Sequence, residues 1–332
     1  KYDQLYFTSS RTKDKEAKVS AITGQYNNNF FLVKQDENGN WLNPEELEDE
    51  VNTEFDEGTS SFSADGNTMY YTYCSQDETG DRTSEIYVST RSSAKWGKGT
   101  RTTIVKDSVT ALGHPAISPD GKYLYFTSDL YRARVAGSDF GPMENLGPEI
   151  NTTGDEMFPY VRDSVTIYFA SNGHPGAGGL DLFKATQDST GHWKVENLGF
   201  PINSSSDDFG ITFEGNKEKG FFCSNRNDAR GFDHIYSFEK PTITVRIEGI
   251  VNDVDEYPIE DATVRIVGKD GLNAKVQTKK DGTYEVELER DIKYVMMASA
   301  RGFLNQNYEL HTNPEEKSET YIVDFFLSPI SK

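Results

Sequence analysis

Three times in this chain an asparagine is followed four and five residues later by two carboxylates: Asn52 with Asp56 and Glu57, Asn151 with Asp155 and Glu156, and Asn203 with Asp207 and Asp208. Oxygen donors recurring at one spacing suit a cation or a basic segment of a protein partner, provided the fold brings them together. The same residue types also serve a structural end, because carboxylates accept hydrogen bonds from turn amides and tie neighbouring elements to one another. Leu112 and Gly113 stand where a further pair is expected, which breaks the symmetry of any such site.

Other catalytic chemistry has little to work with. The sequence holds no Gly-x-Ser-x-Gly elbow, no His-Glu-x-x-His and no Gly-x-x-x-x-Gly-Lys phosphate cradle. Its five histidines, His114, His174, His192, His234 and His311, have no spacing that sets two on one metal. We therefore expect no enzyme, no catalytic residue, no cofactor and no resident metal; the surviving catalytic alternative is glycan cleavage by scattered carboxylates. The glycine-rich stretch from Gly173 to Gly179 lacks a lysine and a following helix, so it reads as a surface loop. Cys74 and Cys223 are too few for a disulfide framework and are expected as free, mostly buried thiols.

The elements that position these residues come from an internal repeat. An aromatic pair followed by small residues recurs at Tyr6-Phe7, Tyr70-Tyr71, Tyr125-Phe126, Tyr168-Phe169 and Phe221-Phe222. Ahead of it lies a tight turn, clearest as Asp65-Gly66 and Asp120-Gly121, where glycine accepts positive φ at no steric cost. A third, alternating strand follows, and a fourth is marked by Trp41, Trp96, Phe140 or Trp193. Tryptophans recurring once per repeat point to packing between blades rather than a sugar platform. Four strands in five copies predict a five-bladed β-propeller over residues 1–240, with Asp56, Glu57, Asp155, Glu156, Asp207 and Asp208 at the entrances to the inner strands.

Only 43 residues separate Phe126 from Phe169. That short spacing reads as about ten flexible, Gly-rich residues missing between Asp129 and Leu130. The first repeat lacks an inner strand and the fifth an outer one, which is expected to be supplied from upstream of Lys1, so that the chain reads as a fragment. After Pro241 the pattern becomes short alternating strands with turn signals, such as Val245–Val251, Thr263–Val267 and Asp281-Gly282-Thr283-Tyr284. This predicts a small antiparallel β-sandwich of roughly seven strands over residues 241–332.

Composition agrees with an all-β protein: 12% of residues are aromatic and 35% hydrophobic, with no long apolar run for a membrane helix. The net charge of −20 disfavours nucleic acid and anionic membrane surfaces and favours basic partners.

The unit from Ser118 to Ser128, Ser-Pro-Asp-Gly-x-x-Leu-Tyr-Phe-x-Ser, resembles the WD40-like PD40 repeat of TolB-type propellers. Residues 249–303, with Pro258, Ala262, Asp281-Gly282-Thr283-Tyr284 and Gly302-Phe303, resemble the carboxypeptidase regulatory-like domain, a transthyretin-like sandwich. In this order the two are similar to the middle of OmpA-family, outer-membrane-associated proteins that also carry TPR repeats and an OmpA-like peptidoglycan-binding domain. That resemblance implies a periplasmic lipoprotein fragment that scaffolds protein partners, among them the type IX secretion machinery, with cell-wall contact made by the OmpA-like domain. The alternative it leaves open is recognition of a glycan or peptidoglycan fragment by the propeller channel or the sandwich.

Overall fold

The computed structural model describes residues 3–12, 19, 25–76, 82–91, 93–105, 111–315 and 317–330. The chain divides into two units, 1–239 and 240–332. Among the described residues all regular structure is β, and no helix is long and apolar enough to cross a membrane.

The first unit is a five-bladed β-propeller built from five successive antiparallel sheets. Blade 1 holds β1 (Gln4–Ser9), β2 (Asn29–Lys34) and β3 (Glu45–Glu46). Blade 2 holds β4 (Asp56–Phe62), β5 (Thr68–Gln76), β6 (Arg82–Thr90) and β7 (Thr100–Arg101). Blade 3 holds β8 (Gly113–Ile117), β9 (Tyr123–Thr127), β10 (Leu130–Ala136), β11 (Asp139–Phe140) and β12 (Glu144–Asn145). Blade 4 holds β13 (Glu156–Val161), β14 (Thr166–Ser171), β15 (Asp181–Gln187) and β16 (Trp193–Asn197). Blade 5 holds β17 (Asp208–Phe213), β18 (Lys219–Ser224) and β19 (His234–Glu239).

The core lies between blades. Phe30, Met69, Tyr71 and Trp96 fill the first interface, and Ile86, Leu112, Leu124 and Phe126 the second. Leu130, Ile150, Phe169 and Trp193 fill the third, and Leu182, Ile211 and Phe222 the fourth. Each fully buried large apolar side chain contributes about 2–3 kcal/mol, so a blade gains its stability from its neighbours. Blade 1 meets blade 5 through Trp41 against Phe221, edge to face with centroids 5.6 Å apart. Trp193 joins Tyr125 of the preceding blade in one core cluster, so Trp41 repeats its inter-blade role.

Blade 3 turns from β9 to β10 through Ser128 and Asp129 alone, with Thr127 paired to Leu130 and Asp129 at φ 77°. The turn closes there without the expected Gly-rich insertion, because aspartate tolerates the left-handed conformation that its second central residue adopts.

The second unit is a sandwich of two four-stranded sheets. Its strands are β20 (Val245–Asp253), β21 (Thr263–Gly268), β22 (Asn273–Gln277), β23 (Thr283–Leu288), β24 (Lys293–Ser299), β25 (Gln306–His311), β26 (Glu319–Ile322) and β27 (Phe325–Leu327). Ile247, Val251, Val264, Ile266, Tyr294, Met296, Phe325 and Leu327 meet in its core. The sandwich is not purely antiparallel as expected: β26 and β27 run parallel to β20. The chain leaves β25 in the opposite sheet before entering β26, and such a crossover lets it return in the direction of its new neighbour.

Candidate functional site

The entrances to the inner strands are where the sequence places its recurring carboxylates. Each is reached by a linker that leaves the outer edge of one blade and feeds the next. On that linker the asparagine binds backward. Asn203 accepts the Leu182 N–H through Oδ1 at 2.8 Å and donates from Nδ2 to the Leu182 carbonyl at 2.8 Å. Asn151 makes the same pair with Leu130 at 2.8 and 3.0 Å, and Asn52 with Phe30 at 2.7 and 3.2 Å. A side-chain amide thus replaces a strand's hydrogen-bonding edge where the outer strand has ended.

The second carboxylate of each pair turns inward. Glu57, Glu156 and Asp208 are 0, 2 and 0% exposed. Glu57 Oε1 accepts from Thr53 Oγ1 at 2.6 Å and from the Thr53 amide at 3.1 Å. Glu156 accepts from Thr152 Oγ1 at 2.7 Å and the Thr152 amide at 3.0 Å, and Asp208 from Ser204 in the same way. The sites differ across the sheet. Ser171 donates to Glu156 at 2.8 Å, and the Arg226 guanidinium pairs with Asp208, but Tyr73 stands opposite Glu57. Glu57 Oε2 is left without a partner, and burial pushes its pKa up to about 8.

The first carboxylates tie turns together. Asp155 and Asn172 exchange two hydrogen bonds, as do Asp207 and Asn225. Asp56 accepts the Asn28 amide at 2.8 Å and Asp207 the Leu180 amide at 2.9 Å, both across a blade boundary. The expectation of an open ring of carboxylates offered to a cation or partner is corrected for Glu57, Glu156 and Asp208, which are closed off from solvent. Asp155 alone of the six is well exposed. Strand register also moves the break in symmetry by one residue: Leu112 occupies the place of Glu156, and Gly113 that of Met157.

Two signals in the sequence were available and missed. A hydroxyl residue always follows the asparagine: Thr53, Thr152 or Ser204. An apolar pair precedes it: Leu47 and Val51, Leu146 and Ile150, Leu198 and Ile202. The whole linker therefore reads Leu-x-x-x-Val/Ile-Asn-Thr/Ser-x-x-x-Glu/Asp.

Behind the entrance each inner strand of blades 2 to 5 carries a β-bulge. His114, Phe158 and Gly210 take positive φ there, and a bulge re-aims the side chains around it. His114 stacks on Phe158 with centroids 4.0 Å apart, and Phe158 meets Phe209 at 4.7 Å. Burial lowers the His114 pKa to about 4, so the ring is neutral at physiological pH.

Gly173–Gly179 is a surface loop, exposed at every residue but the half-buried His174, and it is pinned to the blade beneath it. The Asp181 carboxylate accepts the Ala177 and Gly178 amides at 2.7 and 2.9 Å, and His174 Nε2 lies 2.8 Å from the Ile150 carbonyl oxygen. Beside it a cavity of about 540 Å³ is lined by Pro175, Ala177, Phe200 and Ser204 among others. Cys74 and Cys223 form no disulfide and are half-buried, and desolvation raises the Cys223 pKa to about 12. Among the described residues no group of three or more His, Cys, Asp or Glu gathers where it could hold a metal ion.

No curated protein matches the chain. Among solved structures it is similar to a putative TolB from Agrobacterium tumefaciens, at 20% identity over 64% of this chain and 71% of that one, with a TM-score of 0.34. A thermostable family-43 glycoside hydrolase aligns at 14% identity over 71% of this chain and 86% of that one, with a TM-score of 0.45. The 3-chlorocatechol 1,2-dioxygenase from Rhodococcus opacus 1CP aligns at 12% identity over 27% of this chain, with a TM-score of 0.21; the match spans 61% of the dioxygenase. Residues 246–328 match the family model of the carboxypeptidase regulatory-like domain. The chain is thus a β-propeller followed by a carboxypeptidase regulatory-like domain.

Proposed function

We propose that this chain is a non-catalytic, periplasmic protein-interaction scaffold from an outer-membrane-associated protein of the OmpA family, a PorE-like component that helps tether the type IX secretion machinery to the cell wall. The observation that carries the proposal is the inward commitment of Glu57, Glu156 and Asp208 to the hydroxyl and amide groups of their own linkers. Glycan cleavage needs two carboxylates that reach the scissile bond from solvent, and these three are sealed. Their work is to hold blades in register, which suits a rigid body presenting broad loop-built surfaces. The net charge of −20 favours basic contact surfaces on the partners. Peptidoglycan contact is assigned to an OmpA-like domain elsewhere in the polypeptide, and no cofactor is called for.

Affinity capture with the chain from a solubilised cell-envelope extract, run beside sedimentation with purified cell wall, tests this. Recovery of secretion-machinery proteins without cell-wall binding supports the scaffold; turnover in a screen of cell-wall and other glycans overturns it. A second reading, glycan recognition in the propeller channel, is favoured by the partly exposed stack of His114, Phe158 and Phe209, because aromatic faces suit sugar rings. Cell-wall sedimentation lost on Phe158→Ala, with blade packing intact, selects that reading.

A further inference from the structure

The two outer faces of the sandwich differ in charge. Strand alternation turns Arg265, Lys275 and Lys293 outward from the sheet of β21, β22, β24 and β25, against one acid of its described strands, Glu309. The outer face of the other sheet carries Glu248, Glu285 and Glu287. Arg246, the one cation that the described strands of this sheet turn outward, is already paired with Glu248 at 2.7 Å and with Glu285 at 3.3 Å. Asp324, exposed between β26 and β27, adds a further acid.

Beside these acids runs an unpaired strand edge. β26 bonds to β20 through alternate residues: the Glu319 and Val323 amides donate to the Thr244 and Glu248 carbonyls at 3.0 and 2.9 Å. The N–H and C=O of Thr320 and Ile322 therefore point the other way, where no described strand pairs with them. At Phe326 the same edge is closed, because Gln306 Oε1 accepts that amide at 2.8 Å. Sheet edges are commonly blunted by lysine or proline, as Lys275 does on β22, but β26 and β27 contain neither. Instead Ile322 and Phe326 stand outward, 65 and 47% exposed, with Ile250 on the same face at 36%.

We propose that the β26 edge docks a basic, extended segment of a protein partner, which adds to the sheet as a further strand, bonds to Thr320 and Ile322, and sets a lysine or arginine beside Asp324. The inference deepens the scaffold reading and rests on it. Charge selects the occupant: an apolar strip bordered by Glu248, Glu285 and Asp324 complements a segment that alternates apolar and cationic side chains. A second copy of this chain is disfavoured, since pairing β26 with itself brings two acidic faces together. Main-chain bonds supply attraction whatever the sequence, and alternate side chains supply the choice. Outward positions lie two residues apart, so the side chain beside Ile322 is apolar and the one beside Asp324 basic: the segment reads apolar-x-Lys/Arg.

Residue-resolved hydrogen exchange on the whole chain tests this, with the blocked peptide Thr-Val-Thr-Lys-Thr-Val-Thr as the probe. Near saturation the Thr320 and Ile322 amides are expected to exchange about fivefold or more slowly, with the Val323 amide, already bonded to Glu248, unchanged. The same peptide with glutamate in place of lysine is expected to have no effect, and Ile322→Lys, a change at an exposed position, to abolish the protection. Equal protection by the two peptides, protection confined to other strands, or none at all overturns the proposal. A dimer of the chain in sedimentation that Ile322→Lys dissolves overturns it too, assigning the edge to a second copy. The scaffold reading fails separately: if it is wrong, the native chain recovers no envelope protein, whereas if only this edge is wrong, the native chain and Ile322→Lys recover the same ones.

Discussion

Asn203 holds Leu182 by both of its backbone groups, at 2.8 Å each, across the boundary between blades 4 and 5. The asparagine is 2% exposed and the leucine fully buried, so neither bond has water to replace it. An inter-blade contact usually credited to apolar packing is here also a matter of hydrogen-bond satisfaction.

Asn203→Ala leaves the Leu182 N–H unpaired, while the Leu182 carbonyl keeps the Leu198 amide at 3.0 Å. Burying one unpaired backbone N–H costs about 1–3 kcal/mol, and relaxation recovers part of it, so we expect a loss of about 1–2 kcal/mol in chemical denaturation. Asn203→Asp keeps the acceptor and loses the donor, and is expected to fall between. A change below about 0.5 kcal/mol for alanine would show that the clamp is incidental.

Glu57 predicts a pH dependence. Its folded pKa, raised by burial to about 8 from an ordinary 4.5, means that the folded state binds the proton more tightly than the unfolded one. Its contribution to stability is therefore fully present below about pH 4.5 and is lost as pH rises towards 8, by up to about 1.4 kcal/mol per unit. Glu57→Gln removes that slope while keeping an acceptor for Thr53. Urea denaturation at pH 5, 7 and 9 is expected to show the variant gaining on the native chain as pH rises.

Gly178 sits where a side chain does not fit. A Cβ there falls 2.0 Å from the Ser206 carbonyl oxygen, a backbone atom that cannot swing aside. Gly178→Ala is expected to destabilise the propeller by about 1–3 kcal/mol, read as a lowered thermal midpoint. Gly191→Ala is the contrast: nothing lies within 4 Å of its Cβ, and its cost comes from φ 92° alone.

In the sandwich, Tyr284 is 3% exposed and its hydroxyl donates to the Val323 carbonyl at 2.6 Å, tying β23 to the chain just after β26. Tyr284→Phe keeps the ring and leaves that carbonyl unpaired. We expect about 1–2 kcal/mol of destabilisation. Calorimetry that resolves separate transitions for the two units should show the change in that of residues 240–332.

The sequence alone determined the architecture wherever a pattern is local. Tyr125-Phe126 behind Asp120-Gly121 reads as a hairpin because glycine chemistry and period-2 alternation act over a few residues. Repetition then converts hairpins into blades. The linkers were legible in part: Asn52, Asn151 and Asn203 with their carboxylates stand out, and the Thr or Ser beside each asparagine was equally visible. Tertiary structure alone decided which way these groups face. Glu57, Glu156 and Asp208 are buried because each linker dives into an interface closed by the next blade, and solvent exclusion arises from packing between segments far apart in sequence. The two directions of strand pairing around β20 were likewise hidden, since strand alternation is the same whether a neighbour runs parallel or antiparallel.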